Sequence, residues 1–223
     1  KTSKVLKQLP HTTERYTRVF KDAGFPLDFN SQRPILPDYK NAESQAFAKN
    51  NSGKQLIGIA PFAAFEGKTW PTEKMAELII LLISQELTPI LFGGPADKKG
   101  LEELKGENEE VQILAGKYNF ASEVAIMTHL QAMICMDSSN LHLATIAGIP
   151  VVSIWGATHS FAGFGPMGNN THLQVEVSTQ ELDCRPCSVF GNKPCFRGDY
   201  ACLHGINEAD VLQKLNVALQ EFN

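Results

Sequence analysis

From residue 55 to the end of the chain, short apolar segments alternate with longer segments of helical period. This alternation constrains the fold more than any other feature. The apolar runs predict strands at 56–61, 89–92, 111–114, 132–136 and 151–155, with a further candidate at 173–177. Apolar residues at helical spacing predict helices at 72–85, 97–105, 120–130, 138–147 and 207–221. Continuous apolar strands separated by helices predict an α/β, Rossmann-like parallel sheet with helices on both faces.

The first 54 residues follow a different pattern. Residues 1–24 predict a helix with Thr12 or Thr13 as its N-cap and Gly24 at its end. Residues 25–54 are rich in proline, asparagine and glycine, so they predict an irregular arm. The predicted organisation is therefore a helix and connecting arm at 1–54 and one α/β domain at 55–223.

Length, composition and charge exclude several classes of protein. The 223 residues allow one large domain, or one domain with an extension. A net charge of −4 disfavours nucleic-acid binding through a broad basic face. No apolar run approaches the length of a membrane helix, and nothing resembles a secretory signal. Because the chain opens with Lys1 rather than Met, we expect a fragment or a processed product.

The cysteines fall into two groups. Cys135 lies alone in a predicted strand, whereas four others crowd into one late segment: Cys184, Cys187, Cys195 and Cys202. An odd total without a secretory signal predicts reduced thiols in a cytosolic protein. The late group could bind zinc, remain as structural thiols or form disulfides in air; only its first pair has the spacing typical of a zinc site.

The segment 137–140 holds the most informative candidate site, because ligands of parallel sheets bind beyond the carboxyl ends of the strands. Asp137, Ser138 and Ser139 stand between a predicted strand and helix, and His142 lies one turn further on. A helix N-terminus and two hydroxyl groups suit a phosphate. In the alternative interpretation, Asp137 is only an N-cap and His142 only a polar residue of the helix.

Two further candidates follow other strands. Lys68 could neutralise a diphosphate, or it could be an ordinary exposed lysine. Asp97 could accept hydrogen bonds from a ribose, or it could be a helix cap. Together with segment 137–140 they predict a nucleotide diphosphate site. The first strand is not followed by Gly-x-Gly-x-x-Gly, and the chain contains no full Gly-x-x-x-x-Gly-Lys-Ser/Thr phosphate loop, which disfavours the usual NAD site and ATP hydrolysis.

The order of these motifs resembles glycosyltransferase family 9, the bacterial heptosyltransferases of lipopolysaccharide core assembly. The resemblance covers about residues 55–215 and is carried by segments 68–71, 93–97, 136–144, 147–152 and 155–158 and by the late cysteines. It implies one half of a GT-B enzyme: 55–223 as the nucleotide-sugar-binding domain, with the N-terminal acceptor domain and its catalytic base absent. It also implies an inverting, metal-independent transfer, and a fragment that is inactive alone.

The resemblance assigns a role to each candidate residue. Lys68 would contact the diphosphate or the sugar, and Asp97, where most relatives have Glu, would hold the ribose. Asp137 would face the donor sugar and the pyrophosphate. Ser138 and Ser139 would cradle phosphate with support from His142, although Ser139 stands where relatives usually have Gly. Ala63 and Ala64 replace hydroxyl residues of some relatives.

The partners implied by the resemblance are a nucleotide sugar, expected to be ADP-heptose, and a lipopolysaccharide core or other glycan acceptor. No cofactor and no nucleic acid are expected. The implied location is the cytoplasm, with peripheral association at the inner face of the bacterial inner membrane. Two alternatives remain open: a non-catalytic nucleotide-sugar-binding module and a zinc-stabilised interaction domain.

Overall fold

Six parallel strands form one sheet in the order β3-β2-β1-β4-β5-β6. The computed structural model describes residues 6–28 and 40–222. The strands are β1 (Gln55–Ala60), β2 (Leu87–Leu91), β3 (Gln112–Ile113), β4 (Ala132–Met136), β5 (Val151–Trp155) and β6 (Gln174–Glu176). The expected Rossmann-like parallel sheet is therefore confirmed.

Helices cover both faces of this sheet. They are α1 (Thr12–Asp22), α2 (Ala42–Asn50), α3 (Thr72–Ser84), α4 (Lys98–Lys105), α5 (Phe120–Met127), α6 (Ser139–Ile146), α7 (Ala201–His204) and α8 (Glu208–Glu221). One apolar core lies under α3, α4 and α8, and a second under α2, α5 and α6. Successive residues of β1 enter opposite cores, because side chains alternate across a strand. No helix in the described ranges is long and apolar enough to cross a membrane.

Within residues 55–223 the predicted strand and helix bounds hold for β4 and β5 and shift by one to three residues elsewhere. The first helix, predicted over residues 1–24, begins only at Thr12, and residues 6–11 are not helical. The predicted helix at 97–105 divides into a 3-10 turn, Pro95–Asp97, and α4. The N-cap of α1 is His11 rather than Thr12 or Thr13, because its ring Nδ1 accepts a hydrogen bond from the Thr13 amide. That amide lies two residues beyond the cap, where a free N–H is available.

The prediction of an irregular arm at 25–54 is wrong for residues 42–50, which form α2. A capping box of Asn41 and Ser44 begins this helix, and buried Phe47 packs in the second core. Asn41 Nδ2 also donates to Ser122 Oγ on α5 at 2.9 Å. The helix was missed because its stability depends on contacts with α5, which its own short sequence does not reveal. Residues 29–39 of the predicted arm lie outside the described residues, as do residues 1–5 of the predicted first helix.

The α1 segment is attached to the domain by backbone hydrogen bonds. Leu9 N donates to Phe161 O and Thr12 N donates to Gly163 O, each at 2.9 Å. No residue of α1 is buried. A helix this short is marginal in water by itself, so its order depends on the contact with the loop around Gly163.

We expect Gly163→Ala to release α1. Gly163 has a φ of +88°, and a Cβ there would lie 2.6 Å from the Pro10 carbonyl oxygen. Losing the two backbone hydrogen bonds should speed amide hydrogen exchange in α1 by about tenfold or more. Hydrogen–deuterium exchange with mass spectrometry of the α1 peptides measures the effect.

Gly53→Ala is the matched control, because Gly53 has a φ of +79° and open space at its Cβ position. It introduces similar backbone strain without a clash against the α1 segment. Equal exchange rates of α1 in both variants would contradict the role of Gly163.

Candidate functional site

An ion pair stands at the centre of the carboxyl edge of the sheet. Lys68 Nζ lies 2.9 Å from Asp137 Oδ2, and the two side chains are only 15% and 9% exposed. Lys68 ends a 3-10 turn after β1, and Asp137 directly follows β4. The two strands are neighbours, so their carboxyl ends bring these residues together.

Asp137 is not the N-cap of α6. That position belongs to Ser138, whereas Asp137 Oδ2 accepts a 2.8 Å hydrogen bond from Thr158 Oγ1 in addition to its contact with Lys68. Thr158 follows β5, so three adjacent strand ends meet at one carboxylate. The sequence motif contained Thr158, but nothing in its spacing revealed this contact. The simpler capping interpretation of Asp137 is therefore wrong.

Close backbone packing holds Lys68 in place. Ala157 N donates to Gly67 O at 2.8 Å. A Cβ on Gly156 would lie 2.7 Å from that same oxygen. On the other side, Gly191 lies against the Lys68 stem, and a Cβ there would lie 2.7 Å from Lys68 Cγ. Only glycine lets position 156 pack against the Gly67 carbonyl oxygen and position 191 pack against the Lys68 stem. The Lys68 ammonium group is therefore positioned before any ligand arrives.

Arg185 supports this arrangement from within the domain. Its side chain is fully buried, and its guanidinium donates to the carbonyl oxygens of residues 155, 156, 158 and 177 and to Glu176 Oε2 at 2.8 Å. The planar fork of an arginine suits several fixed acceptors at once. Arg185 therefore fixes the loop that carries Thr158. Sequence reasoning assigned it no role, because a cationic residue is rarely buried.

The N-terminus of α6 faces the same cleft. Ser138 Oγ is buried and has no hydrogen-bond partner among the described residues, and Ser139 beside it is exposed. The first amides of a helix have no partner within the helix, and they favour anions. A phosphate oxygen would satisfy both the hydroxyl and the amides.

His142 lines the cleft one turn into α6. Burial lowers its pKa; the charges of His11 and Lys68 lower it further, and Asp137 partly opposes them. His142 is therefore neutral at neutral pH, when it can both donate and accept a hydrogen bond.

Asp97 lies beyond the carboxyl end of β2. Its Oδ2 accepts a 2.8 Å hydrogen bond from Gly94 N, so it stabilises the turn after β2. It is also half-buried and lines the cleft. Asp97 stands at the N-cap position of α4 but makes no side-chain cap hydrogen bond to that helix, so the capping interpretation holds only for the preceding 3-10 turn.

All six predicted site residues line one cleft of about 530 Å³. They are Lys68, Asp97, Asp137, Ser138, Ser139 and His142, and Ala63 and Ala64 lie with them. Phe62, which directly follows the predicted first strand, lines the cleft too. The cleft also contains residues that sequence reasoning missed, namely Phe164, Val189 and Phe190. They come from loops without a regular pattern, so only the fold could place them there.

The late cysteines form no metal-binding group in the described structure. Across residues 6–28 and 40–222, no three His, Cys, Asp or Glu side chains are arranged to hold a metal ion. Burial raises the pKa of Cys202 to about 11. For Cys195, burial acts in the same direction, but hydrogen bonds from the backbone of residues 197–200 outweigh it and lower the pKa. The cysteines are thiols in this structure.

The parallel sheet, with its polar cleft at the strand ends, defines a Rossmann-like α/β domain. The family can be named more closely. The model of glycosyltransferase family 9 (heptosyltransferase) matches residues 1–193, and the chain belongs to this family.

Curated relatives are heptosyltransferases. The chain is 26% identical over 202 residues to lipooligosaccharide heptosyltransferase 2 of Campylobacter jejuni, covering 88% of this chain and 57% of that protein. It is 29% identical over 160 residues to lipopolysaccharide heptosyltransferase 2 of Escherichia coli, covering 66% and 46%. The chain thus spans about half the length of the curated relatives it matches.

Solved structures show the same fold. The chain matches E. coli ADP-heptose lipopolysaccharide heptosyltransferase II with a TM-score of 0.70 and 21% identity, covering 95% of this chain and 62% of that one. It matches the family 9 glycosyltransferase of Veillonella parvula with a TM-score of 0.75 and 22% identity, covering 98% and 63%.

We expect Arg185→Met to lower the free energy of unfolding by about 3–5 kcal/mol, because it leaves several buried acceptors unpaired. Urea denaturation followed by the fluorescence of buried Trp70 and Trp155 measures this change. Arg197→Met is the control: Arg197 pairs with Asp199 at the surface, where ion pairs contribute little. A loss below about 1 kcal/mol in Arg185→Met would contradict the supporting role.

We expect His142 to weaken the fold as the pH falls. The pKa of His142 is lowered in the folded state, so as the pH falls below about 6.5 this side chain binds a proton in the unfolded chain before it does so in the folded chain. The free energy of unfolding should therefore decrease from pH 7 to about pH 5 less steeply in His142→Gln than in the parent. Urea denaturation across this range measures it, with His204→Gln at the exposed His204 as control. Parallel profiles of parent and His142→Gln would contradict the prediction.

Proposed function

We propose that this chain forms the nucleotide-sugar-binding half of a GT-B glycosyltransferase that transfers heptose from ADP-heptose to a lipopolysaccharide core acceptor. The observation that carries the proposal is the cleft itself, where Lys68, Asp137 and the start of α6 converge on one edge of the sheet. The E. coli structural neighbour is an ADP-heptose lipopolysaccharide heptosyltransferase, which supports this donor.

The polar part of the cleft suits a nucleoside diphosphate. Asp97 stands after β2 and would accept hydrogen bonds from the ribose. Lys68 and the α6 amides lie further along the edge and would bind the diphosphate, with Ser138 Oγ as an additional donor. Asp97 and Lys68 are positioned by contacts made without ligand, so little reorganisation of these two side chains accompanies binding.

The same groups would assist the transfer step. As the bond between the sugar and the diphosphate breaks, negative charge grows on the leaving phosphate oxygen. Lys68 and the start of α6 would stabilise that charge in a partly buried site, where such contacts are strongest. In this mechanism an acceptor hydroxyl attacks the anomeric carbon directly, which inverts its configuration.

The base that takes the acceptor's proton would come from outside this cleft. Among the described residues, its lining carboxylates are Asp97 and Asp137. Asp97 bonds the Gly94 amide, and Asp137 is held by Lys68 and Thr158. The longer relatives support a second domain as the source. A lipopolysaccharide acceptor would bring the protein to the inner face of the bacterial inner membrane by peripheral association.

We expect this chain to bind ADP more tightly than UDP. We expect Lys68→Ala to weaken ADP binding by about ten- to a hundredfold, because the variant loses a hydrogen bond to a charged group. Asp137→Ala should also weaken it strongly, because Lys68 loses the partner that orients it. Isothermal titration calorimetry at moderate salt measures both affinities.

Lys99→Ala is the matched control, because Lys99 is a lysine of α4 with a 91% exposed side chain, outside the cleft. Tighter binding of UDP than of ADP would support a glycosyltransferase whose donor is a UDP-sugar rather than ADP-heptose. Unchanged ADP affinity in both Lys68→Ala and Asp137→Ala would refute the site. Tighter binding by Asp137→Ala would show that the carboxylate repels the diphosphate.

A further inference from the structure

One end of the cleft is apolar, in contrast to its centre. This end is lined by Phe164, Val189 and Phe190. The ring centroids of Phe164 and Phe190 lie 5.9 Å apart, with an angle of 50° between the ring planes. Val189 is 53% exposed and Phe190 is 58% exposed. Large apolar side chains beside a polar cleft favour contact with a ligand surface, since burying them removes apolar area from water.

The order of the strands places this apolar end next to the diphosphate site. Along the edge, Asp97 follows β2, Lys68 follows β1 and Asp137 follows β4. Phe164 lies further along the loop after β5, the next strand, beyond the 3-10 turn Ser160–Ala162, and it lines the same cleft. A donor whose ribose lies at Asp97 and whose diphosphate lies at Lys68 therefore places its sugar toward Phe164.

Two further contacts connect the aromatic residues to the site. Gly191, which follows Phe190, packs on the stem of Lys68. The guanidinium of Arg15 lies 5.8 Å from the centre of the Phe164 ring, which holds this ring from the α1 side. Phe190 is thus next to the residue that packs on Lys68, and Phe164 contacts a residue of α1.

The cleft also contains Ala63 and Ala64, whose side chains are methyl groups. The Ala63 amide already donates to Thr69 Oγ1 at 3.3 Å. Neither side chain can hydrogen-bond a sugar hydroxyl, so these two positions add apolar surface to the cleft.

We propose that Phe164 and Phe190 bind the glycosyl group of the donor through an apolar face of its pyranose ring and thereby select the sugar. This inference rests on the proposed function and deepens it: the preferred sugars are pyranoses with a continuous face of C–H groups. Contact between such a face and the phenyl rings requires no hydrogen bond, so discrimination depends on the shape and stereochemistry of the sugar.

The experiment compares a ligand that has the sugar with one that lacks it. Affinities of the parent, Phe190→Ala and Phe164→Ala for ADP and for ADP-heptose are measured by isothermal titration calorimetry. We expect each alanine variant to bind ADP-heptose about three- to tenfold more weakly than the parent, as for the loss of one aromatic contact, and ADP within about twofold. Phe190→Trp retains a ring and should retain the preference for ADP-heptose.

Phe196→Ala is the matched control, because Phe196 lies in the same loop region, is 77% exposed and does not line the cleft. Equal losses for ADP and ADP-heptose would place the rings on the nucleotide and overturn the inference. Unchanged binding of both ligands in both alanine variants would overturn it as well. Failure of the parent to bind either ligand would refute the proposed function itself, and this inference with it.

Discussion

The buried guanidinium of Arg185 joins the ends of β5 and β6 to the loop that carries the late cysteines, and the geometry of the cleft depends on it. Its donors bond buried carbonyl oxygens of residues 155, 156 and 158. Through the Thr158 backbone it fixes a hydroxyl that bonds Asp137, and Asp137 in turn holds Lys68. The ammonium group at the cleft is therefore positioned by a residue that does not line it.

These contacts give the cleft two different surfaces. Its centre is polar, partly buried and arranged in advance, and such groups interact more strongly with charge than they would in water. Its far end carries phenyl rings on loops that touch the same elements, through Gly191 and Arg15. One scaffold thus carries a charged region and, beside it, an apolar region.

The elements that the sequence predicted well are those whose signal is local. β4 and β5 were placed with their true bounds because every residue in them is apolar or small and buried. α2 was missed because its contacts with α5 stabilise it, and His11 was missed as an N-cap because serine and threonine have the stronger preference for that position. The six predicted site residues share one cleft because the ends of parallel strands lie along one edge.

The sequence by itself determined the alternation of strands and helices, and with it the edge on which Lys68, Asp97 and Asp137 would meet. The tertiary structure alone decided that Lys68 pairs with Asp137, that Thr158 and Arg185 support the pair, and that Phe164 and Phe190 share the cleft. The physical reason is the range of the interactions. Hydrophobic periodicity acts between near neighbours in the chain and is visible in the sequence, whereas these contacts join residues from separate loops.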